Sequence, residues 1–527
     1  MYDCALKNGT IVDGSRKKPF VGNLYISDGK IAEISTEERE AARVCDVSGL
    51  TVAPGFVDIH SHSDASFLTV PTYEGKLRGG VTFELVGQCG ISMVPLTPES
   101  REDTMRTIER SLDQKVSESV FSATDYAGYA RAVTETGISI NQGGLVGHGA
   151  LRACIIGWQM RQLTPQETDA MCRLLEEQLD QGAMGLSLGL IYPPGSFCDT
   201  QEILALARVV ASRDKLLAVH MRNENQGVFD ALEEMIGVAL ATGVRLEISH
   251  LKLMGKSQWG RAGELLARID LARAQGARIH CDQYPYCASN SVLTSCFPKW
   301  AMEGGFPKLV ERLKDNEQFE KIFSGGLPEM DARAGADRIN IGYTGGHFTE
   351  IEGMTLVEMA AYMKMPLFNA MREALIRCEG VINCIYHSIN RQDMLTIMSR
   401  RDVCTASDGS AYDLSHLVGR PHPRSSSTFP RFLRIVREEK LMPIEDAVYK
   451  MTALPAVLMG LGGKIGCLKE GYRADITVFN AETVADRATY LDPSLKPVGI
   501  ERVFVGGVEV LSDGQISDSR PGTFFLI

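Results

Sequence analysis

Eight short runs of β-branched and small residues alternate with longer helical stretches through the middle of the chain. The runs occupy residues 56–60, 81–86, 141–146, 183–188, 216–220, 245–250, 278–282 and 403–408. One intervening helix, predicted over residues 165–181, has Thr164 as its N-cap and Pro165 at its first position. Strands that alternate with helices predict parallel strands joined by helical crossovers. Eight such units predict an α/β fold of the (β/α)8, TIM-like barrel type.

Both ends of the chain are instead rich in short apolar runs joined by tight turns. Asn8-Gly9 and Asp13-Gly14 near the start, and Gly506-Gly507 near the end, lie between such runs and indicate hairpins. We predict one small β domain built from residues 1–52 and 460–527, flanking a catalytic barrel of residues 53–459. The gap between the seventh and eighth runs is far longer than one helix needs. Residues 296–365 are therefore predicted to form an insertion or lid after the seventh strand.

Charge and cysteine usage exclude several classes of partner. The formal net charge of −11 and the lack of a basic stripe argue against nucleic-acid binding. No run of about 18 apolar residues exists to span a bilayer, and the N-terminus lacks the features of a signal peptide. Thirteen cysteines without a CxxC pair are typical of a reducing compartment. We expect a cytoplasmic protein with a small-molecule substrate, and the oligomeric state stays open.

Polar side chains follow the ends of most predicted strands, where a barrel of this type carries its functional residues. Five of the ten histidines lie there, together with one cysteine and one aspartate: His60, His62, His148, His220, His250, Cys89 and Asp408. The His-x-His pair places both imidazoles on one face of its strand, where they can reach one cation. Taken singly, each residue has a structural alternative, such as a turn-forming aspartate before a glycine or a small buried cysteine. Their joint occurrence favours a metal site.

Several of these motifs resemble a known family. Gly55-Phe56-Val57-Asp58-Ile59-His60-Ser61-His62 resembles the first-strand motif of the amidohydrolase superfamily, and the segment 469–476 is similar to its returning β-domain motif. Over its full length the chain resembles the D-aminoacylase (N-acyl-D-amino-acid deacylase) family. The supporting motifs are Gly87-Gln88-Cys89-Gly90, Gly147-His148-Gly149, His220-Met221-Arg222, Asp282-Gln283-Tyr284-Pro285-Tyr286, Ser407-Asp408-Gly409 and Pro421-His422-Pro423-Arg424.

One position separates this family from its relatives. Hydantoinases and dihydroorotases bridge two metals with a carboxylated lysine from the fourth strand, but residues 182–190 of this chain contain no lysine. Cys89 matches the cysteine that D-aminoacylases use instead. A thiolate is a good zinc ligand and supplies one negative charge, as a carbamate does.

The resemblance implies a zinc-dependent hydrolysis of N-acyl-D-amino acids to a carboxylate and a free D-amino acid. It implies that the tightly bound zinc is held by Cys89, His220 and His250. It also implies a second, weaker metal position at His60 and His62. Asp408 is then the general base that takes a proton from water and returns it to the leaving amine.

Substrate recognition also follows from the resemblance, which puts the substrate's α-carboxylate near Lys252, Tyr284 and Arg424. The alternative for these residues is a surface ion pair or a stacked tyrosine. Tyr192, just beyond the fourth strand, is a candidate donor to the developing oxyanion.

The sequence leaves three questions open. His148 and Arg222 are candidates for supporting hydrogen bonds rather than for metal ligation. Residues 287–297 contain no Lys or Arg, so neutral or hydrophobic D-amino acids are favoured. The alternative functions are a cyclic-amide hydrolase or dipeptidase of the same superfamily, or a barrel that binds a metabolite without catalysis.

Overall fold

Eight parallel strands form a closed barrel in the computed structural model, which describes residues 1–112 and 121–527. The strands are Phe56–Asp58, Val81–Val86, Asn141–Gly144 continued by Val146–Gly147, Gly185–Gly189, Leu216–His220, Arg245–Ile248, Ile279–Gln283 and Val403–Thr405. Neighbours along the chain pair in parallel throughout. The barrel closes where the Asp408 amide donates to the His60 carbonyl at 2.8 Å and Ser61 bridges Gly409. The predicted barrel and all eight of its strands are confirmed.

Helices surround the barrel and bury its outer face, which is why its strands are apolar on both sides. The principal ones are Glu74–Arg78, Arg101–Leu112, Tyr126–Thr136, His148–Ile156, Pro165–Asp180, Thr200–Ser212, Val228–Thr242, Ala262–Ala274, Arg424–Glu439, Ile444–Met451 and Ala453–Leu458. The helix Pro165–Asp180 begins as predicted. The Thr164 side chain accepts from the Glu167 amide, and Glu167 accepts from the Thr164 amide, so a capping box satisfies two donors of its first turn.

A nine-stranded sheet joins the two ends of the chain. Its strands are Tyr2–Ile11, Phe20–Ser27, Lys30–Ser35, Ala41–Asp46, Thr51–Pro54, Ile476–Phe479, Ile500–Val505, Val508–Ser512 and Gln515–Ile516. The two terminal segments meet where Thr51–Pro54 pairs antiparallel with Ile476–Phe479. A β domain built from both termini is therefore confirmed, while the limits 1–52, 53–459 and 460–527 stay predictions.

The long connection after the seventh strand folds over the barrel mouth. Its sheet has three antiparallel strands, Ser289–Val292, Ile339–Tyr343 and Asn383–Tyr386. Its helices are Gly305–Lys314, Asn316–Arg333, Leu356–Met363, Leu367–Arg377 and Arg391–Met398. The limits 296–365 stay a prediction, and two of the three strands of this sheet lie outside them.

Within the described part of the chain, no helix is both long and apolar enough to cross a membrane.

Candidate metal and active site

A pocket opens at the carboxyl ends of the barrel strands. Nine of the ten residues predicted for the site line it: His62, Cys89, Tyr192, His220, His250, Lys252, Tyr284, Asp408 and Arg424. The tenth, His60, is fully buried beneath them and contacts Cys89 and Asp408. Residues from seven of the eight barrel strands, or from the loops after them, therefore converge on one cavity, as the closure of a barrel requires.

Cys89 lies at the centre of the candidate ligands. Its Sγ atom is 3.6 Å from His220 Nδ1 and 3.5 Å from His250 Nε2. Zinc bonds of about 2.3 Å to sulfur and about 2.05 Å to nitrogen, at tetrahedral angles, place the two ligand atoms about 3.6 Å apart. The spacing of these three side chains therefore fits a tetrahedral zinc position that keeps one coordination position free.

A second group of ligand atoms shares the same thiol. Cys89 Sγ is 3.4 Å from His60 Nε2, and His62 Nε2 is 3.1 Å from Asp408 Oδ1. The ligand atoms of these four residues lie within 4.8 Å of one another. Cys89 thus belongs to both groups, and a metal in either group would contact it.

The backbone at the site adopts an unusual conformation. Cys89, His250 and Asp408 have φ angles of 55°, 39° and 52°, in the left-handed region that side chains other than glycine rarely adopt. Hydrogen bonds hold two of them there. The His250 amide donates to Asp282 Oδ1 at 2.9 Å, and the Asp408 amide donates to the His60 carbonyl. Strained positions of this kind cluster at functional sites.

Two buried carboxylates orient the imidazoles from behind. Asp282 Oδ2 is 3.1 Å from His60 Nδ1, and Glu224 Oε1 is 3.1 Å from His250 Nδ1. His250 Nδ1 also lies 2.8 Å from Lys252 Nζ, so Glu224 and Lys252 together surround the ring nitrogen opposite the candidate ligand atom Nε2. The motif of residues 282–286 contains Asp282 without indicating its role, and none of the motifs contains Glu224. Its only signal in the sequence is its place four residues after His220.

Glu224 also neutralises Lys252, whose Nζ atom donates to Glu224 Oε1 at 2.6 Å. Burial raises the pKa of the Glu224 carboxyl, but His220 and Lys252 outweigh it and hold the pKa well below its usual range. Glu224 is therefore an anion between two candidate metal ligands and a candidate substrate-binding cation.

Opposite charges also shift the pKa values of the two central anions. Burial raises the pKa of the Cys89 thiol, but the His60 charge and the neighbouring imidazoles outweigh it and hold that pKa well below the usual value. Burial likewise raises the pKa of Asp408, while Arg424 and the imidazoles hold it well below its usual range. These directions favour the thiolate of Cys89 and the carboxylate of Asp408, the forms that ligation and general-base catalysis need.

His148 and Arg222 lie outside the pocket lining. His148 Nε2 is 2.6 Å from Glu202 Oε1, in an ion-pair cluster that also contains Arg152. Arg222 pairs with Glu234 at 3.0 Å. His148 thus links the helices His148–Ile156 and Thr200–Ser212, and with Cys198 and Glu202 it forms a separate group of possible ligands that does not include Cys89. Arg222 is tied to the helix Val228–Thr242.

The structure adds a residue that the sequence did not suggest. Arg333, at the end of the inserted helix Asn316–Arg333, lines the pocket and is only 7% exposed. It is about 50 residues from the nearest barrel strand in the chain, so no strand-end pattern points to it.

The amidohydrolase family model matches residues 43–315 and 399–511. The chain is 32% identical to a D-aminoacylase and 34% identical to an N-acyl-D-glutamate deacylase, both of Alcaligenes xylosoxydans xylosoxydans. Each alignment covers 99% of this chain, with 97% of the first relative and 96% of the second. A crystal structure of N-acyl-D-glutamate deacylase from Bordetella bronchiseptica, complexed with zinc and a phosphonate mimic of the tetrahedral intermediate, has a TM-score of 0.84, 33% identity and complete coverage of both chains.

The barrel and its cluster of histidine, cysteine and aspartate side chains define a metal-dependent hydrolase of the amidohydrolase type. The matched residues and the full-length identity show that the chain belongs to the amidohydrolase family and, within it, to the D-aminoacylase (N-acyl-D-amino-acid deacylase) family.

Proposed function

We propose that the protein is a zinc-dependent hydrolase of N-acyl-D-amino acids, releasing a carboxylate and a free D-amino acid. One observation carries the proposal. Cys89 lies within 3.6 Å of two imidazoles, next to the Asp408 carboxylate, in a pocket that also contains the buried cations Lys252 and Arg424. The activities named for the relatives in Alcaligenes and Bordetella support the same reaction.

The donor set supports zinc as the metal, because a thiolate with two imidazoles is a common zinc site. Cys89, His220 and His250 would hold the tight ion, and His60 and His62 the weaker one. Bound zinc supplies a Lewis acid that activates water and polarises the amide carbonyl.

Asp408 is the group that moves the proton. As a carboxylate, it accepts a proton from the attacking water at Oδ1 or Oδ2 and delivers it to the nitrogen of the leaving amine. That nitrogen must be protonated before the carbon–nitrogen bond breaks, so one carboxyl group acts as base and then as acid.

The remaining residues orient the amide. Lys252, Tyr284 and Arg424 would hold the α-carboxylate, and the buried Tyr284 hydroxyl has no partner among the described residues, so it can donate to that group. The Tyr192 hydroxyl, 3.1 Å from Ser291 Oγ, would donate to the oxygen of the carbonyl as negative charge develops there.

A cyclic-amide hydrolase is the second candidate. The fourth barrel strand, Gly185–Gly189, contains no lysine that could be carboxylated, which disfavours it. A dipeptidase of the same superfamily, or a barrel without catalysis, remains as an outcome of the experiment below.

Paired substrates test the proposal. Zinc-loaded protein should hydrolyse N-acetyl-D-amino acids and leave the L enantiomers and hydantoins intact. Hydrolysis of hydantoins alone, or of L-dipeptides alone, would establish one of the other enzymes. No zinc in the purified protein and no turnover after zinc addition would establish a non-catalytic barrel.

We also propose a cytoplasmic location for the protein. All thirteen cysteines are unpaired in the structure, which supports a reducing compartment. We propose no nucleic-acid or membrane partner, in keeping with the acidic charge balance.

A further inference from the structure

The seam between the first and eighth barrel strands is built differently from the other seven seams. Those seven are joined by ladders of paired residues. Between strands one and eight, the described residues form a single isolated bridge, Ser61 with Gly409. His60 and His62 follow the strand on one side of this seam, and Asp408 follows the strand on the other. The geometry of the seam therefore decides how the candidate base faces the candidate weak metal position.

A buried carboxylate replaces the missing ladder. Asp58, on the first strand, accepts from the Ser407 amide at Oδ1 over 2.8 Å and from the Ser407 hydroxyl at Oδ2 over 2.5 Å. Both side chains are almost completely buried. An anion thus joins two strand ends that a backbone ladder joins elsewhere in the barrel, and an anion in such a position needs a nearby cation.

Lys76 supplies that cation from the short helix between the first two strands, and its side chain is only 1% exposed. Four oxygen atoms lie within hydrogen-bonding distance of its Nζ atom: Asp58 Oδ2 at 2.8 Å, the Gly409 carbonyl at 2.8 Å, Ser407 Oγ at 2.9 Å and Ser61 Oγ at 3.1 Å. An ammonium has three N–H groups, so each of them has an acceptor on one of the two strand ends. Lys76 therefore connects the strands across the seam.

The two eighth-strand acceptors of Lys76 lie directly before and after Asp408. Asp408 has a φ angle of 52°, a conformation that persists only where the surrounding contacts hold it. The ammonium binds the Ser407 hydroxyl and the Gly409 carbonyl, and the Gly409 amide donates to Ser407 Oγ at 3.1 Å. Lys76 does not line the pocket, so it acts on the candidate base through this turn and not through the substrate.

Lys76 also balances a second buried carboxylate. Glu84 Oε2 lies 3.5 Å from Lys76 Nζ and accepts from the hydroxyls of Ser61 and Ser63 at 2.7 and 2.9 Å. Removing the ammonium would leave two buried anions without their cation, which is destabilising whatever else Lys76 does. A test of its role must therefore separate the loss of charge balance from the loss of position.

We propose that Lys76 is a positioning residue of the hydrolytic reaction. It holds the turn of residues 407–409 so that the Asp408 carboxylate stays within reach of the attacking water and of the leaving nitrogen. The inference rests on the proposed function and adds a residue that none of the strand-end motifs contains. Cys89, His220 and His250 follow or end strands two, five and six, so the tight zinc position does not depend on this seam.

Lys76→Met tests the position of Asp408 through the split between rate and affinity. A displacement of about 1 Å at a reacting group can cost about 100-fold in rate. On an N-acetyl-D-amino acid, kcat should therefore fall by about 100-fold, while KM changes by less than about 3-fold and the zinc content per chain is retained.

Lys450→Met is the matched control. Lys450 is as buried as Lys76, but it donates to the carbonyls of Met398 and Arg400, at the opposite end of the eighth strand. Its removal should lower the free energy of unfolding and leave kcat unchanged. An equal fall in kcat for both variants would place the effect in the scaffold and contradict the proposed role of Lys76.

A charge-balanced variant separates position from stability. Lys76→Met combined with Asp58→Asn removes the cation together with its closest anion, so it should unfold at a higher urea concentration than Lys76→Met alone. Its kcat should stay low, because Gly409 and Ser407 still lack the ammonium that binds them. Recovery of kcat together with stability would show that Lys76 serves charge balance alone and would overturn the inference.

The remaining outcomes are also decisive. Unchanged kcat in Lys76→Met, or loss of its zinc, overturns this inference alone, because activity of the native protein still supports the proposed function. If Lys76→Met does not fold, Ser407→Ala takes its place: it removes one acceptor beside Asp408 and should lower kcat by about 10-fold with zinc retained. Unchanged kcat in that variant overturns the inference. No activity of the native protein on any N-acetyl-D-amino acid overturns the proposed function and this inference with it.

Discussion

The Arg424 guanidinium and the Asp408 carboxylate form a buried ion pair, with Nη1 and Oδ2 2.8 Å apart. The other oxygen of Asp408 lies 3.1 Å from His62 Nε2. One carboxylate therefore links a candidate metal ligand to a candidate substrate-binding cation. A substrate carboxylate that binds Arg424 would compete for this ion pair and make Asp408 a stronger base when the amide is in place.

Asp408→Asn should retain the bound zinc but lose almost all of its turnover. The amide has nearly the same shape but cannot accept the proton of water, so kcat should fall by about 10³-fold while the zinc content per chain stays unchanged. Asp413→Asn, which alters a more exposed aspartate of the same loop, should leave both quantities as they are. Loss of zinc from Asp408→Asn would instead identify Asp408 as an essential ligand.

Cys89→Ala should remove the tightly bound zinc and abolish turnover, because Cys89 is the one side chain that both candidate ligand groups share. Zinc per chain, measured by elemental analysis after dialysis, checks this. Cys404→Ala, in a buried cysteine of the eighth barrel strand, is the matched control and should retain the metal. A Cys89→Ala protein with its full zinc content would exclude the thiolate as a ligand.

Glu224→Gln should weaken zinc binding by about 10- to 100-fold, since the neutral amide no longer balances the charge of Lys252, whose Nζ atom lies 2.8 Å from His250 Nδ1. Competition with a chelator measures the affinity. Glu233→Gln, at an exposed glutamate paired with Arg268, should bind zinc as the native protein does. Equal zinc affinities in all three proteins would contradict the orienting role of Glu224.

Tyr192→Phe should lower kcat by about 100-fold with little change in KM, because a hydrogen bond to the oxyanion is made only as negative charge develops. Steady-state kinetics on an N-acetyl-D-amino acid separates the two constants. Tyr472→Phe, which removes a hydroxyl that donates to the Gly462 carbonyl, is the control. A rise in KM at unchanged kcat would show that Tyr192 serves ground-state binding.

His280 should make the protein less stable in acid. Burial, followed by the charges of Arg273 and Arg245, lowers its pKa to about 4, below the value near 6.5 expected in the unfolded chain. The unfolded state therefore binds more protons between these values. Stability is fully present above about pH 6.5 and falls as the pH drops towards 4, by at most about 3 kcal/mol from this group. Urea unfolding of the native protein and of His280→Gln, at pH 7.5 and 4.5, measures the free energy of unfolding of each protein. The free-energy difference between the two proteins should change between these pH values, and a constant difference would contradict the lowered pKa of His280.

The barrel could be predicted because its signals are local. Each strand is a short apolar run with a polar residue at its end, and parallel pairing then brings those ends to one mouth. Nine of the ten predicted site residues line the pocket for this reason, and His60 lies directly under it.

The sequence by itself thus determined the eight strands, the kinds of ligand at their ends and the family to which they belong. Only the tertiary structure decided that Cys89 is shared by two ligand groups, that Glu224 stands behind His250, and that Arg333 reaches the pocket from the insertion. The physical reason is the range of the interactions. Strand-end positions follow from the periodicity of a few neighbouring residues, whereas the positions of loops and inserted helices depend on packing between segments far apart in the chain.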